Sequence, residues 1–226
     1  MRIGFIGNTN NLPYMIAREL ASLGHQIFFV VDKEQSLHRP EAYYPRDPAP
    51  TNLEIYDATG IAEKYIHYLT VLWRDPRLRA RLKSCDAVIA NGLWAIAARS
   101  TGKPYLVLLT GSDLASVADP DALFHDYWAM AKSKAWPLRT ARLAAVMLVG
   151  WSLRTALRHS SGFSYYARGV VPRGDALLAR IFRGLAPENA PVRMALQFTD
   201  VGRLQPTPPT KNADDSLTIL LAARHT

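Results

Sequence analysis

The chain has 226 residues, a formal net charge of +8 and an apolar fraction of 49%. This apolar content is typical of a globular protein with a buried core and excludes an intrinsically disordered chain. The single cysteine, Cys85, excludes a disulfide framework, and the positive charge favours anionic partners such as phosphates, acidic glycans, nucleic acids or an anionic membrane surface.

The sequence carries no recognisable targeting segment. Met1-Arg2 leads directly into a predicted strand, without the apolar region and cleavage site of a signal peptide. No run of about 18 uncharged apolar residues occurs, so no membrane-spanning helix is expected. Together with the single cysteine, these features predict a cytoplasmic location.

The first third of the chain predicts alternating strands and helices, a pattern typical of parallel βαβ units. The predicted elements are a strand over Arg2–Gly7, a helix over Leu12–Leu23, a strand over Gln26–Asp32, a long surface loop over Lys33–Asn52, a helix over Thr59–Trp73 and a short basic helix over Arg77–Lys83. Apolar residues at helical spacing support the first helix, and Gly24 supplies its end.

The stretch Ser84–Asp113 predicts a complete βαβ unit. Its elements are a buried strand over Asp86–Ala90, a turn at Asn91-Gly92, a helix over Leu93–Ser100, a strand over Tyr105–Leu109 and a polar loop over Thr110–Asp113. Ligands of parallel sheets bind beyond the carboxyl ends of the strands. We therefore predict a binding site formed by Asn91, Gly92, Thr110, Gly111, Ser112 and Asp113. The same residues could act only as turn formers and helix caps, and this alternative stays open.

The remaining chain predicts the end of one domain and the start of another. Its elements are a helix starting at Asp119-Pro120-Asp121, a helix from Pro137 to about His159, a strand over Gly162–Ala167, a helix over Asp175–Leu185, a strand over Val192–Phe198, a linker over Gln205–Asp215 and a strand over Leu217–Ala223. The last strand has no following helix or strand, which indicates a chain truncated just inside a second domain. We predict a Rossmann-like domain over residues 1–204, a linker over 205–215 and the first strand of a second domain over 216–226.

The predicted helix from Pro137 to His159 carries four arginines within one broad arc, at positions Arg139, Arg142, Arg154 and Arg158. A basic amphipathic helix can lie on an anionic membrane surface. A core helix whose arginine ends reach solvent accounts for the same pattern. Both interpretations stay open from the sequence.

The loop Gly7-Asn8-Thr9-Asn10 follows the first strand and precedes a helix. A glycine at this position permits close backbone approach, and the helix start points free N–H groups at an anion. A dinucleotide fingerprint would need G-x-G-x-x-G, which is absent. Asp32, however, ends the second strand, where dinucleotide-binding enzymes hold a ribose, so a nicotinamide-dependent oxidoreductase stays open as an alternative. A plain turn between strand and helix is also open.

Other chemistries lack their motifs. The sequence contains no C-x-x-C, H-E-x-x-H or G-x-S-x-G, and its six histidines are scattered. We therefore expect no metal site. No nucleic-acid-binding module is recognisable, and we expect no nucleic-acid partner.

Several motifs, in order, are similar to those of the amino-terminal half of GT-B glycosyltransferases, in particular family 4 retaining enzymes. D-A-V-I-A-N-G-L-W at Asp86–Trp94 resembles the family's D-V-I-H-x-H-G-L-W, and G-K-P-Y-L-V-L-L-T-G-S-D at Gly102–Asp113 resembles G-K-P-Y-V-x-x-x-H-G-S-D. M-A-L-Q-F-T-D-V-G-R-L at Met194–Leu204 resembles V-I-P-N-G-V-D-x-x-R-F, and L-T-I-L-L-A-A-R at Leu217–Arg224 resembles the first strand of the donor-binding domain. Gly7 with Asn8 matches the family's first-strand loop.

The resemblance implies a two-domain enzyme that transfers a sugar from a nucleotide-sugar to a glycan or lipid-linked acceptor with retention of configuration, without a cofactor. It implies that Gly7, Asn8 and Asn10 lie near the donor diphosphate, that the predicted site at Asn91–Gly92 and Thr110–Asp113 binds the acceptor, and that the loop Lys33–Asn52 forms its rim. The catalytic groups would lie in the second domain, so this chain alone is expected not to turn over. Asn91 and Thr110 replace histidines common in the family, and Gln197-Phe198 replaces its Asn-Gly. A non-catalytic binding module is a third possibility.

Overall fold

The computed structural model describes residues 1–32, 39–40, 49–58, 67–111, 113–130, 136–166 and 170–194. All of these belong to one compact unit, Met1–Ala195. The predicted linker and final strand, most of the loop Lys33–Asn52, and the first part of the helix predicted over Thr59–Trp73 lie outside the described residues. The predicted division into domains therefore stays a prediction.

Strands and helices alternate along the described chain. The strands are β1 (Arg2–Ile6), β2 (Gln26–Asp32), β3 (Leu53–Ala58), β4 (Ala87–Asn91), β5 (Tyr105–Leu108), β6 (Gly162–Ser164) and β7 (Val192–Met194). The helices are α1 (Leu12–Ser22), α2 (His67–Arg74), α3 (Pro76–Lys83), α4 (Ala95–Arg99), α5 (Pro120–Met130), α6 (Trp136–Arg158) and α7 (Pro172–Ile181). Single turns of 3₁₀ helix cover Thr9–Asn11, Gly92–Trp94 and Pro187–Asn189, and a π-helical turn covers Asp113–Ala118.

The seven strands form one sheet in the order β3-β2-β1-β4-β5-β6-β7, and every described pairing is parallel. The chain winds outward in one direction from β1 to β3 and then in the other direction from β4 to β7. This arrangement confirms the predicted α/β class, a Rossmann-like doubly wound parallel sheet. The winding reverses between β1 and β4, which is the position where such sheets bind their ligands.

Apolar side chains cover both faces of the sheet. On one face α1 packs over β1 to β3, where Tyr14 meets Phe29 edge to face with 5.2 Å between ring centroids. On the other face Phe28, Val88 and Leu153 belong to a larger cluster that joins β2 and β4 to α6. Because both faces of β2 are buried, its continuous apolar run is explained.

One strand has no counterpart in the sequence analysis, which assigned no element to Leu53–Ala58. β3 lies at the edge of the sheet and pairs only with β2 among the described strands. Its exposed positions are acidic, and Glu54 and Asp57 form ion pairs with arginines outside the strand. Acidic residues lower the strand propensity of such a segment, so its strand pattern cannot be recognised from the sequence.

Helix α6 occupies the predicted range. Two of the four arginines that were predicted to form a basic arc, however, donate to backbone carbonyls of the protein. Arg154 donates from Nη1 to the carbonyl of Ala118 at 3.1 Å, and Arg158 donates to the carbonyl of Arg183 at 3.1 Å. The outward side instead exposes Leu148 and Trp151, whose exposed fractions are 49% and 56%. Along the described chain, no helix combines the length and the apolar character needed to cross a bilayer.

Candidate functional site

A cleft of about 160 Å³ opens at the carboxyl edge of the sheet, at the point where the winding reverses. It is lined by Gly7, Asn8, Thr9, Asp32, Tyr68, Asn91, Leu93, Trp94 and Asp113. These residues come from the ends of β2 and β4, from the segments that follow β1, β4 and β5, and from α2. The strand ends predicted to form a site therefore lie together.

The Asn91 side chain links two of these strand ends. Its Oδ1 accepts a hydrogen bond from the Thr9 N–H at 2.7 Å, and its Nδ2 donates to the Leu108 carbonyl at 3.0 Å. The residue is 3% exposed. Asn91 thus fixes the loop after β1 against the end of β5, and the amide of asparagine suits this role because it offers a donor and an acceptor.

Two N–H groups that flank the loop after β1 donate to partners within the chain. The Gly7 N–H donates to the Val30 carbonyl at 3.0 Å, and the Tyr14 N–H at the start of α1 donates to Asn8 Oδ1 at 3.1 Å. Pro13, the second residue of α1, has no N–H. Asn8 Oδ1 therefore satisfies an N–H of the first turn of α1, a role for this residue that the sequence alone does not predict.

Gly7 is in close contact with Trp94. Its φ of +87° lies in the left-handed region, and an added Cβ would lie 2.5 Å from Trp94 Cδ1. The Trp94 ring in turn meets the Tyr68 ring edge to face, with 5.5 Å between centroids. The glycine is needed here because the backbone must approach an indole ring, in addition to any approach to a ligand.

Gly92 lies against Asp113, which lines the cleft. Gly92 has a φ of +58°, and an added Cβ would lie 2.7 Å from the Asp113 carboxylate. The Asp113 Oδ2 atom accepts hydrogen bonds from the Thr110 N–H at 3.1 Å and from the Thr110 hydroxyl at 2.6 Å. Thr110 thus holds the carboxylate in place at the edge of the cleft.

The structure brings most of the predicted site residues to this cleft, though in different roles. Gly7, Asn8, Asn91 and Asp113 line it, whereas Gly92 and Thr110 contact the Asp113 carboxylate. Gly111 lies beside the Tyr166 ring, and a Cβ added to Gly111 would lie 3.5 Å from Tyr166 Cε2. The backbone of Asn10 lies in the 3₁₀ turn after β1. Its side chain, and all of Ser112, fall outside the described part of the chain.

Two aromatic residues of the cleft were missed as site residues. Trp94 ends the 3₁₀ turn that follows β4, so an aromatic residue in the first turn after a strand end was an available signal. Tyr68 had no such signal, because α2 reaches the cleft only through its packing on the other helices.

The described lining of the cleft is acidic. Asp32, 7% exposed, and Asp113 bring two carboxylates, and no lysine, arginine or histidine is among the described lining residues. Over the same described ranges, no group of three His, Cys, Asp or Glu side chains is placed to hold a metal ion. The cleft therefore offers oxygen acceptors and aromatic rings.

Together, these features define an α/β protein with a Rossmann-like sheet and a cleft at its switch point. No family model and no curated protein matches the chain. A solved structure of a sucrose-phosphate synthase from Thermosynechococcus elongatus is similar, with 12% sequence identity and a TM-score of 0.47. The similarity covers 86% of this chain and 47% of that one, so the chain spans about half the length of that protein. A similarity of this degree concerns the overall fold and says nothing about the site.

Proposed function

We propose that this chain is the acceptor-binding half of a retaining glycosyltransferase of the GT-B type, which transfers a sugar from a nucleotide-sugar to a glycan or lipid-linked acceptor. The observation that carries the proposal is the cleft at the switch point. There the two segments that resemble family motifs, represented by Asn91 and Asp113, lie beside the Gly7–Thr9 loop. No cofactor is required, and the nucleotide-sugar is the co-substrate.

The described lining of the cleft can position an acceptor but lacks the positive charge needed for bond cleavage. A carboxylate such as Asp113 can accept a hydrogen bond from an acceptor hydroxyl and orient it. Departure of a nucleoside diphosphate needs cationic groups near the leaving oxygens, and the described lining carries none. The second domain implied by the family resemblance would supply them, so the catalytic residues are unassigned here.

The proposed location is the cytoplasm, with contact to an anionic inner-membrane surface where a lipid-linked acceptor would be found. The net charge of +8 and the exposed Leu148 and Trp151 of α6 support such a contact. The inward bonds of Arg154 and Arg158 argue against a basic arc formed by these two arginines. Co-sedimentation with vesicles that contain anionic lipid tests the contact, and a Trp151→Ser variant should reduce it.

The experiment that tests the function is a transfer assay on the natural reading frame that contains this chain. Labelled nucleotide-sugars are offered with glycan and lipid-linked acceptors, and the anomeric configuration of the product is read by NMR. Transfer with retained configuration supports the proposal. Transfer with inverted configuration, or no transfer to any acceptor, contradicts it.

A second candidate is a nicotinamide-dependent oxidoreductase, because Asp32 does line the cleft at the end of β2. Against it, the indole of Trp94 lies within 2.5 Å of a Cβ built on Gly7, at the place where a pyrophosphate would approach the backbone. A fluorescence titration with NADH decides between the two. Binding abolished by Asp32→Ala would favour the oxidoreductase.

A further inference from the structure

We propose that the cleft binds an uncharged, hydroxyl-rich sugar ring between Asp113 and Trp94, and that the loop after β1 binds no phosphate. This inference rests on the proposed function, because it takes the ligand to be a sugar. It also changes the role that the family resemblance implies for Gly7, Asn8 and Asn10. These residues then shape the wall of a sugar site and do not form a cradle for a diphosphate.

A phosphate bound at the loop after β1 would need backbone donors from that loop. Anions bind at strand–loop–helix turns through N–H groups that have no other partner. Here the N–H groups of Gly7, Thr9 and Tyr14 donate to Val30, Asn91 and Asn8, and Pro13 lacks one. A phosphate that took its hydrogen bonds from these three N–H groups would have to break bonds that the folded chain has already made.

The charge of the described lining also disfavours a phosphate. A phosphate in a cleft of about 160 Å³ would lie close to the carboxylates of Asp32 and Asp113, without a cation among the described lining residues. Like charges repel more strongly where water is partly excluded. A neutral sugar carries no such penalty, and its hydroxyl groups gain from a carboxylate acceptor.

Asp113 and Trp94, which both line the cleft, carry an acceptor and a donor without a described partner. Both hydrogen bonds from Thr110 go to Oδ2 of Asp113, and Oδ1 accepts none from the residues that the structure describes. Trp94 also lines the cleft, and its indole N–H donates to none of the described residues. The pair thus offers one acceptor and one donor. Sugar hydroxyls can satisfy both, whereas a fully ionised phosphate can only accept.

The test is an NMR titration of the ¹⁵N-labelled chain, read at the indole N–H signals of its five tryptophans. The Trp94→Phe variant assigns the Trp94 signal. The probes are the methyl glycosides of glucose, galactose, mannose and N-acetylglucosamine, then inorganic pyrophosphate, then NADH. We expect one or more glycosides to shift the Trp94 signal and pyrophosphate to leave it unchanged.

Two matched variants test the role of the carboxylate. In Asp113→Asn, the amide oxygen can still accept from Thr110, but an NH₂ group replaces the acceptor that faces the sugar. The affinity for the glycoside should fall about tenfold, as expected for a hydrogen bond to a charged group. Asp121→Asn removes the same charge from an exposed carboxylate of α5 and should leave the affinity unchanged.

The outcomes separate the inference from the proposed function. If pyrophosphate shifts the Trp94 signal and competes with a glycoside, the inference is wrong while a glycosyltransferase remains. If no glycoside shifts the signal, or Asp113→Asn binds as tightly as the wild type with an unchanged melting temperature, the inference is also wrong. If NADH alone shifts it, the proposed function fails as well.

Discussion

Gly7 and Gly24 have the same left-handed backbone conformation, with a φ of +87° in both, but different surroundings. A Cβ at Gly24 would have no atom within 4 Å, whereas a Cβ at Gly7 would lie 2.5 Å from Trp94. Gly24→Ala should therefore cost only the left-handed conformation, about 1–2 kcal/mol. Gly7→Ala should cost about 1–3 kcal/mol more, because Trp94 must move.

Urea unfolding of the two alanine variants measures this difference. The Gly7 variant should also shift the indole signal of Trp94, whereas the Gly24 variant should not. Equal losses of unfolding free energy would show that Trp94 does not pack on Gly7, and the wall of the cleft would then be misplaced.

Asn91 is expected to be a structural residue of the cleft as well as a lining residue. Asn91→Ala leaves the Thr9 N–H and the Leu108 carbonyl without their partner, and we expect a loss of about 2–4 kcal/mol in unfolding free energy. Asn189→Ala, at an exposed site in a 3₁₀ turn, is the matched control and should change stability by less than about 0.5 kcal/mol. Similar values for both variants would contradict the two hydrogen bonds.

At the scale of elements, an ion pair joins the start of α5 to the start of α7. Arg173 lies 3.1 Å from Asp119, which is nearly buried. Burial raises the pKa of the Asp119 carboxyl, but the hydrogen bond from Arg173 and backbone hydrogen bonds from Asp121 and Ala122 outweigh it and hold the pKa below its usual value. A lowered carboxyl pKa stabilises the fold above the unfolded-state pKa, and this contribution is lost as the pH falls through the folded-state pKa.

Removing the arginine should therefore weaken the fold towards acid. We expect Arg173→Ala to raise the pH at which the protein unfolds in an acid titration followed by circular dichroism. Arg79→Ala, which removes an exposed arginine of α3, should leave that pH nearly unchanged. An acid transition at the wild-type pH in Arg173→Ala would show that the ion pair does not support the native state.

Helix α6 has a buried side and an apolar side that faces outward, and leucines on the two sides should respond differently. Leu153 is fully buried, so Leu153→Ala should cost about 2–5 kcal/mol. Leu148 is 49% exposed, and Leu148→Ala should cost less than about 0.5 kcal/mol. Chemical denaturation of both variants checks the orientation of the helix, and a reversed order of the two losses would contradict it.

The sequence predicted elements best where one physical signal dominated. The apolar run Gln26–Asp32 defines β2, and apolar spacing together with a proline at its start defines α6. β3 escaped prediction because its exposed positions are acidic and its position depends on pairing with β2. The meeting of the strand ends followed from topology alone. The partners of Asn91 could not be predicted, since they lie 82 and 17 residues away in the chain.

At the scale of the whole molecule, charge is unevenly distributed. The chain carries a net charge of +8, yet the described lining of its cleft holds two carboxylates and no cation. Among the described residues, the cationic side chains therefore lie outside this lining. Any attraction of the protein to anionic surfaces should weaken with salt, whereas binding of a neutral sugar should not.

The same distribution bears on catalysis by this chain. Because the described lining of the cleft holds no cation to stabilise a leaving diphosphate, we expect the chain alone neither to hydrolyse nucleotide-sugars nor to transfer their sugar. A hydrolysis assay over a panel of nucleotide-sugars, compared with buffer, measures this. Turnover above the buffer rate, lost in Asp113→Asn, would show that the groups for bond cleavage lie within these 226 residues.

We expect a sugar-bearing molecule to bind at the carboxyl edge of the sheet. Photo-crosslinking with a diazirine-labelled glycan library, followed by peptide mapping, tests it most directly. We predict labelled peptides that contain Asn91–Trp94 or the Thr110–Asp113 loop, with labelling suppressed by unlabelled glycan. Labelling confined to the exposed face of α6 around Trp151, or no labelling above that of a free diazirine, would contradict the claim.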